Sequence, residues 1–221
     1  MIILYSYYRS STSYRVRMAL NLKGLAYETV PVNLVKDEQF MDMYALINPM
    51  TAVPTLVHND FTLTQSHAIM EYLDDIVPQP ALVFGNAEQR AYIRQITDII
   101  STDIHPLTNL RILRYLAEKF GADEAGKLGW YGHWARKGML AVEATLRHRG
   151  WSGDFALDDH VSMADIAIVS QMYNMRRYKL KVDDLPLCLQ IEKHCTQIEA
   201  LRKAAPEHQP DAPDSLEAIH G

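Results

Sequence analysis

A change of pattern at residues 77–80 most constrains what this chain can fold into. Before Val77-Pro78-Gln79-Pro80, short apolar runs typical of strands alternate with segments of helical period. After it the helical period continues nearly throughout. Because closely spaced prolines interrupt both helices and strands, this segment is the natural linker between two domains. The sequence therefore predicts a small α/β domain at 1–80 and an all-helical domain at 87–221.

The first domain has the predicted order β-α-β-α-β-β-α. Its strands are predicted at 2–5, 27–32, 54–57 and 62–64, and its helices at 12–23, 37–46 and 66–76. Asn59-Asp60, between the last two strands, is a hairpin turn signal. The order matches a thioredoxin-like fold, with a mixed sheet covered by helices. That fold normally carries a redox Cys-x-x-Cys at the start of its first helix.

The second domain is predicted to consist of long helices at 87–120, 123–148, 162–178 and 187–203. Ser162 and Asp165 have the spacing of an N-cap with a reciprocal acidic partner, which assigns them to folding rather than to chemistry. Pro206, Pro210 and Pro213 indicate an extended tail.

Composition excludes several classes of function. The 221 residues carry a net charge of −5 without any basic block, so a nucleic-acid partner is not expected. No apolar run approaches the roughly 20 residues of a membrane helix, and no signal peptide is evident. Cys188 and Cys195 form no Cys-x-x-Cys and are expected to be reduced packing residues. These features favour a cytoplasmic protein.

Hydroxyl side chains dominate the junction between the first strand and the first helix. Ser10, Ser11 and Thr12 lie there, where backbone N–H groups and a positive helix end favour an anion. The anion could be a phosphate, a carboxylate or a thiolate, and simple helix capping is the alternative. The absence of cysteine excludes dithiol chemistry at this position, but the turn can still bind the thiol of a ligand.

Two further dipeptides fit ligand binding in the same domain. Val53-Pro54 opens a strand, and in thioredoxin-like folds this peptide bond is cis and leaves the backbone of the preceding residue available for a peptide-like ligand. Gln65-Ser66 opens the next helix, where the N–H and hydroxyl of Ser66 suit a ligand carboxylate. For these dipeptides, an ordinary edge-strand proline and a plain N-cap are the competing interpretations.

The helical domain adds a stripe of polar residues. Thr102, His105 and Asn109 have the spacing of one helix face, with a kink expected at Pro106. A metal site at His105 is not expected, because no second histidine lies at ligand spacing.

Arginine is the side chain best suited to a carboxylate ligand, because its guanidinium can donate two parallel hydrogen bonds. Arg9 precedes the serine turn, and Arg176 and Arg177 end the helix predicted at 162–178. For Arg176 the expected role is interaction with the helix dipole.

Together these motifs resemble the zeta class of glutathione transferases, which includes the maleylacetoacetate isomerases. The resemblance covers essentially the whole chain and rests on Tyr5-Ser6-Tyr7, Arg15-Val16-Arg17-Met18-Ala19-Leu20, Asn48-Pro49, Val53-Pro54-Thr55-Leu56, Gln65-Ser66-His67-Ala68-Ile69, Asp103-Ile104-His105-Pro106, Ser162-Met163-Ala164-Asp165, Arg177 and Gln209-Pro210-Asp211. It implies a glutathione transferase fold, a homodimer, and glutathione-dependent cis–trans isomerisation of an unsaturated dicarboxylate.

The resemblance also implies a role for each candidate residue. Ser11 would orient the thiolate, helped by Ser10 and Thr12. Substrate carboxylates would bind Arg9 and Arg177. The residues expected to hold glutathione are Val53, Pro54, Gln65, Ser66, His105 and Asn109.

The chain departs from the family at two positions. The family signature is Ser-Ser-Cys, and this chain has Ser10-Ser11-Thr12, with Thr12 at the position of the cysteine. A cysteine at this position therefore cannot be essential to the chemistry of this protein. The resemblance does not imply the transferase side-activities that are associated with that cysteine. Some maleylpyruvate isomerases carry an arginine where Leu110 stands, which favours maleylacetoacetate, although Arg111 is adjacent. A maleylpyruvate isomerase, a general glutathione transferase and a non-catalytic interaction module are the competing functions.

Overall fold

The computed structural model describes residues 1–150 and 153–214. Residues 151, 152 and 215–221, which fall within the predicted helical domain, lie outside the described residues. Contacts divide the described residues into two units, one of Met1–Leu82 with the tail at 196–214, and one of Val83–Cys195. In the described part of the chain, no helix is both long enough and apolar enough to cross a lipid bilayer.

The tail groups with the first unit, whereas the sequence assigned all of 87–221 to the helical domain. The reason is a set of hydrogen bonds from the first helix. The Asn21 amide donates to the Ala200 carbonyl at 2.9 Å, and Arg17 Nε donates to the Ala204 carbonyl at 2.9 Å. Such bonds between distant segments leave no local sequence signal.

The first unit confirms the predicted order of strands and helices. The strands pair in the order β2-β1-β3-β4, with β1 parallel to β2 and the other pairs antiparallel. The elements of this unit are β1 (Ile2–Ser6), α1 (Ser11–Leu22), β2 (Glu28–Pro31), a 3₁₀ turn (Glu38–Phe40), α2 (Asp42–Ile47), β3 (Thr55–His58), β4 (Phe61–Thr64), α3 (Ser66–Ile76), and, in the tail, α10 (Glu199–Lys203) and a 3₁₀ turn (Pro206–His208).

The central strand pair anchors the core of this unit. Leu4 of β1 lies opposite Leu56 of β3, and both are fully buried. Apolar side chains of α1 and α3 are also buried, and Val16 and Leu73 are among those fully excluded from solvent. The packed sheet therefore holds the start of α1 and the start of β3 in fixed places, which matters for the site below.

Helices alone form the second unit within its described residues. They are α4 (Ala87–Asp98), a π-helix (Ile99–Ile104), α5 (His105–Thr108), α6 (Leu110–Phe120), α7 (Glu124–His148), α8 (Met163–Arg177) and α9 (Pro186–Gln197). Gly138 lets α7 approach the π-helix closely, because a Cβ at this position would overlap the Ile104 side chain. The helix predicted at 187–203 is interrupted at Ile198, which has an extended backbone.

The single helix predicted at 87–120 is wrong, because the structure breaks it into four pieces. The kink expected near Pro106 is part of a larger interruption that begins with the π-helix. Asn109 has an extended backbone (φ −74, ψ 162) and starts a new helix. Thr102, His105 and Asn109 therefore do not share one continuous helix face, because a π-turn and a helix break change their angular spacing.

The predicted cap at the start of α8 is confirmed. Both the N–H and the hydroxyl of Ser162 donate to Asp165 Oδ2, at 2.7 and 2.6 Å. The other oxygen of Asp165 accepts the Ala156 N–H at 2.6 Å. Burial nevertheless dominates and raises the pKa of Asp165 to about 6.

We expect Asp165→Asn to lower the free energy of unfolding by about 1–3 kcal/mol at pH 7.5, because the amide NH₂ would face a buried donor. The wild-type carboxyl has a folded pKa of about 6, above the unfolded value. Its contribution to stability is therefore greatest below about pH 4 and is lost as the pH rises through about 6. This dependence should vanish in the variant. Urea unfolding between pH 4 and 7.5 tests both points, with the exposed Asp159→Asn as a control expected to match the wild type.

Candidate functional site

The serine turn occupies the junction that the sequence predicted, between β1 and α1. Ser10 is the N-cap of α1, and its Oγ accepts the Ser13 N–H at 3.2 Å. Ser11 and Thr12 form the first turn of the helix, and both are buried. Helix capping thus occurs here, as the capping interpretation required, but only Ser10 performs it.

The hydrogen bonds of the turn identify which hydroxyl can serve a ligand. Thr12 Oγ1 donates to the Val53 carbonyl at 3.0 Å, because a carbonyl can only accept. Since the single Thr12 proton is used there, the 2.9 Å contact between Ser10 and Thr12 must be a donation from Ser10. Within the described residues, the Ser11 hydroxyl makes no recorded hydrogen bond. Ser11 is therefore the hydroxyl whose proton is available to an anion.

Thr12, which was expected to help Ser11 orient the thiolate, does not keep its proton for that ligand. Its proton instead joins α1 to the residue that precedes β3, across 41 positions of sequence. Thr12 therefore supports the geometry of the turn rather than presenting a donor.

Val53 precedes β3, and its bond to Pro54 is cis, as predicted. Its carbonyl accepts from Thr12, while no hydrogen bond from its N–H is recorded among the described residues. Neighbouring side chains brace this loop. Tyr44 Oη and Asn48 Nδ2 both donate to the Ala52 carbonyl, at 2.6 and 2.7 Å. This bracing was not predicted from the sequence, although Asn48 belongs to one of the motifs that resemble the family.

Gln65 has an unusual backbone conformation at the start of α3. Its φ of 71° lies in the left-handed region, although it is not a glycine. Such a conformation costs about 1–3 kcal/mol and is concentrated at functional sites. Ser66 follows as the first residue of the 11-residue helix and is buried. The first N–H groups of α3 and the Ser66 hydroxyl together offer donors to a carboxylate.

Arg9 lies in the loop between β1 and the serine turn. Its guanidinium carbon is 5.9 Å from the centre of the Tyr7 ring, and the Tyr7 ring packs edge-on against Tyr8 at 4.7 Å. Burial raises the pKa of Tyr7 to about 12, although the charge of Arg9 acts in the opposite direction. Tyr7 is therefore a neutral phenol at physiological pH and cannot act as a base towards a thiol.

The second unit places Arg176 and Arg177 in different environments. Arg176 forms an ion pair with the buried Glu192, with Nη2 2.7 Å from Oε2. Arg177 stacks its guanidinium on the Tyr178 ring at 4.3 Å, and its buried Nε has no partner among the described residues. Arg176 lies in the last turn of α8, as the expected dipole role requires, and is also committed to a structural carboxylate. Arg177 forms no recorded ion pair in the described part of the chain.

His105 and Asn109 take different positions from those expected of a shared face. His105 is half-buried at the start of α5. Asn109 caps α6, and its Oδ1 accepts the Ile112 N–H at 3.2 Å. The capping bond occupies the amide oxygen, so helix capping is sufficient to explain Asn109.

Metal and cysteine chemistry have little support in the described residues. Over 1–150 and 153–214, no group of three His, Cys, Asp or Glu side chains could hold a metal ion. Cys188 and Cys195 are buried and unpaired. Burial raises the pKa of both thiols well above the ordinary value, and the charge of Glu143 adds to the effect at Cys188. Neither is a reactive nucleophile.

Comparison with known proteins agrees with this geometry. Residues 1–75 match the model of the glutathione S-transferase N-terminal domain. A probable maleylacetoacetate isomerase of Vibrio cholerae is 40% identical over 213 residues, covering 96% of this chain and 98% of the relative.

Two solved structures are similar over nearly the full length. One is a holo maleylpyruvate isomerase, a bacterial zeta-class glutathione transferase, with a TM-score of 0.93, 40% identity, and coverage of 96% of this chain and 100% of that one. The other is a maleylacetoacetate isomerase from Methylobacterium extorquens AM1 with bound malonate and glutathione, with a TM-score of 0.93, 32% identity, and coverage of 96% and 99%. With this sequence identity over the whole chain, and with a serine turn at the start of α1, the protein belongs to the zeta class of glutathione transferases.

Proposed function

We propose that this protein catalyses the glutathione-dependent cis–trans isomerisation of maleylacetoacetate to fumarylacetoacetate. The observation that carries the proposal is the Ser11 hydroxyl, whose proton remains available at the N-terminus of α1 in a chain of this family. Maleylpyruvate isomerase is the second candidate, because a structure of that name is 40% identical. A general glutathione transferase and a non-catalytic interaction module are the third and fourth candidates.

The donors of the first unit fit the chemical groups of glutathione. A thiolate suits the Ser11 hydroxyl and the positive end of α1, which lower its pKa. A peptide suits the Val53 backbone, whose N–H has no recorded partner among the described residues. A carboxylate and an amino group suit Ser66 and Gln65 at the start of α3. His105 and Asn109 are retained as proposed contacts of the same ligand.

When bound, glutathione supplies a sulfur nucleophile that adds reversibly to the cis double bond and leaves after rotation about the resulting single bond, with no net change of protons or electrons. Ser11 stabilises the negative charge on the thiolate by donating a hydrogen bond. Ser10 and Thr12 hold the turn in the required geometry through their mutual hydrogen bond. Arg9 and Arg177 bind the substrate carboxylates, which a guanidinium can hold with two parallel hydrogen bonds.

Turnover of the two cis substrates, measured side by side with and without glutathione, tests this proposal. We expect both reactions to require glutathione and maleylacetoacetate to be preferred. Preference for maleylpyruvate would favour the second candidate. Turnover of simple electrophiles alone would favour a general transferase, and glutathione binding without any turnover would favour the non-catalytic module.

The protein's own thiols should be dispensable. In Cys188→Ala/Cys195→Ala, we expect glutathione-dependent turnover to stay within about twofold of wild type, because buried thiols of raised pKa are not nucleophiles. Circular dichroism establishes that the variant is folded. Loss of turnover in a folded variant would indicate an internal thiol in the reaction.

We further propose a cytoplasmic homodimer that acts in aromatic amino acid catabolism. Large apolar side chains are exposed on α6 and α7, including Tyr115, Phe120 and Leu140. A two-fold interface near these helices would cover them. Light scattering at micromolar concentration should give twice the 25.2 kDa mass of one chain. A mass of one chain would contradict the dimer.

A further inference from the structure

Residues near the C-terminal end of the described chain hold the loop that carries Arg9. The Tyr8 N–H donates to Asp211 Oδ2 at 2.9 Å, across 203 positions of sequence. The Tyr8 carbonyl accepts from Arg17 Nη2 at 3.0 Å, and Arg17 Nε donates in turn to the Ala204 carbonyl. Both polar groups of the Tyr8 backbone are therefore tied, directly or through Arg17, to the tail.

The same tail segment lines a cavity beside Arg9. The cavity has a volume of about 410 Å³. It is lined by Tyr7, Tyr8 and Arg9, by residues 210–213, and by Asn33 and Val35. Asp211 therefore contacts the backbone next to Arg9 and lines the same cavity as Arg9.

We propose that Asp211 is a positioning residue that acts through Tyr8 to place the Arg9 guanidinium for a substrate carboxylate. The inference rests on the proposed function, because it takes Arg9 as a carboxylate ligand. The serine turn has a separate anchor, since the Ser10 N–H donates to the Tyr7 carbonyl at 3.0 Å and Ser10 caps α1. Loss of Asp211 should therefore disturb substrate binding more than thiolate activation.

The direction of the change in KM in Asp211→Ala distinguishes a positioning role from a direct effect of the Asp211 charge. A carboxylate beside this cavity repels a dicarboxylate, so a purely electrostatic Asp211 would weaken substrate binding, and its removal would lower KM. A positioning Asp211 gives the opposite result, because Tyr8 and Arg9 lose their fixed place. Asp211→Ala should then raise KM for the dicarboxylate about tenfold, the effect of one lost hydrogen bond to a charged group. The pKa of the bound glutathione thiol should stay unchanged.

Two conservative variants complete the comparison. Asp211→Asn keeps an acceptor oxygen but loses the charge, whereas Asp211→Glu keeps the charge but displaces the acceptor. Positioning predicts a KM closer to wild type for Asn than for Glu, and a charge effect predicts the reverse. This pair decides the question even if Asp211→Ala does not fold. Asp214→Ala, which removes an exposed carboxylate from the same tail, is the matched control and should behave as wild type.

Hydrogen exchange and a double-mutant cycle provide independent tests. In Asp211→Ala, the Tyr8 amide should exchange at least about tenfold faster than in wild type or Asp214→Ala. In an Arg9→Ala background, Asp211→Ala should raise KM by less than about twofold more, because the two residues act as one unit. An unchanged or lowered KM in Asp211→Ala, or effects that add fully to those of Arg9→Ala, would overturn the proposal.

A binding measurement distinguishes this inference from the proposed function. Calorimetry with malonate and the glutathione-saturated protein reports carboxylate binding without turnover. If wild type isomerised neither substrate, the proposed function would fail. Malonate affinity in Asp211→Ala and Asp214→Ala would still test whether Asp211 positions Arg9. Equal malonate affinity and equal Tyr8 exchange in these two variants would reject the role of Asp211, whatever reaction the protein catalyses.

Discussion

Replacing Ser11 with alanine is expected to lower isomerase turnover by about 10- to 150-fold, the effect of losing one hydrogen bond to a charged group. The pKa of the bound glutathione thiol should rise by about 1–2 pH units, because a hydrogen bond to a charged group contributes about 1.5–3 kcal/mol. Both effects follow from the arrangement in which Ser10 donates its proton to Thr12 and Thr12 donates its own to the Val53 carbonyl. The ultraviolet absorbance of the thiolate, titrated in the enzyme–glutathione complex, measures the pKa directly.

Two variants serve as controls for Ser11→Ala. Ser66→Ala should weaken glutathione binding more than Ser11→Ala does, while leaving the thiol pKa unchanged, because Ser66 is assigned to the carboxylate. Thr12→Val removes the bond to the Val53 carbonyl without removing a donor to the sulfur. An unshifted titration in Ser11→Ala, together with a raised pKa in Thr12→Val, would move thiolate activation to Thr12 and reverse the proton assignment.

Replacing Arg177 with lysine should raise KM for the dicarboxylate substrate about ten- to a hundredfold, with glutathione binding unaffected. Lysine keeps the charge but loses the planar fork that holds a carboxylate at two points. It also loses the stacking of the guanidinium on the Tyr178 ring, seen here at 4.3 Å. The expected size corresponds to about 1.5–3 kcal/mol for a lost partner of a charged group. Steady-state kinetics with varied substrate at saturating glutathione measures it.

The control for Arg177 must remove a nearby positive charge without removing a structural contact. Arg176 is unsuitable, because its loss would leave the buried Glu192 without its ion pair. The exposed Lys179 is suitable, and Lys179→Gln should keep a normal KM. An electrophile that lacks carboxylates should react equally with both variants and wild type. Intact maleylacetoacetate turnover in Arg177→Ala would show that Arg177 does not bind a substrate carboxylate, and would favour the general glutathione transferase as the function.

Features that depend on neighbouring residues were predictable from the sequence. The strand and helix order of the first unit, the serine cap of α1 and the cap between Ser162 and Asp165 are all present. Each depends on side-chain volume, apolar period or a hydrogen bond spanning three residues. Such preferences act within a few positions of the chain and therefore leave a readable pattern.

Some features were decided only by tertiary structure. Apolar period alone could not show that the segment 87–120 breaks into a π-helix and three α-helices. The π-helix packs closely against Gly138 of α7, 34 positions after Ile104, and such a contact leaves no local pattern. Nor could it show that the tail joins the first unit.

The sequence by itself determined that hydroxyl side chains would lie at the start of α1, that a proline would precede β3, and that two candidate arginines would be present. Which hydroxyl keeps its proton depends on the hydrogen bond of Thr12 to Val53, 41 positions away. In the proposal above, the place of Arg9 depends on the hydrogen bond of Tyr8 to Asp211, 203 positions away. A hydrogen bond between distant segments forms only after packing has brought both there. For that reason, the sequence could name the candidate residues of the site, whereas the folded structure decided which hydrogen bonds each of them makes.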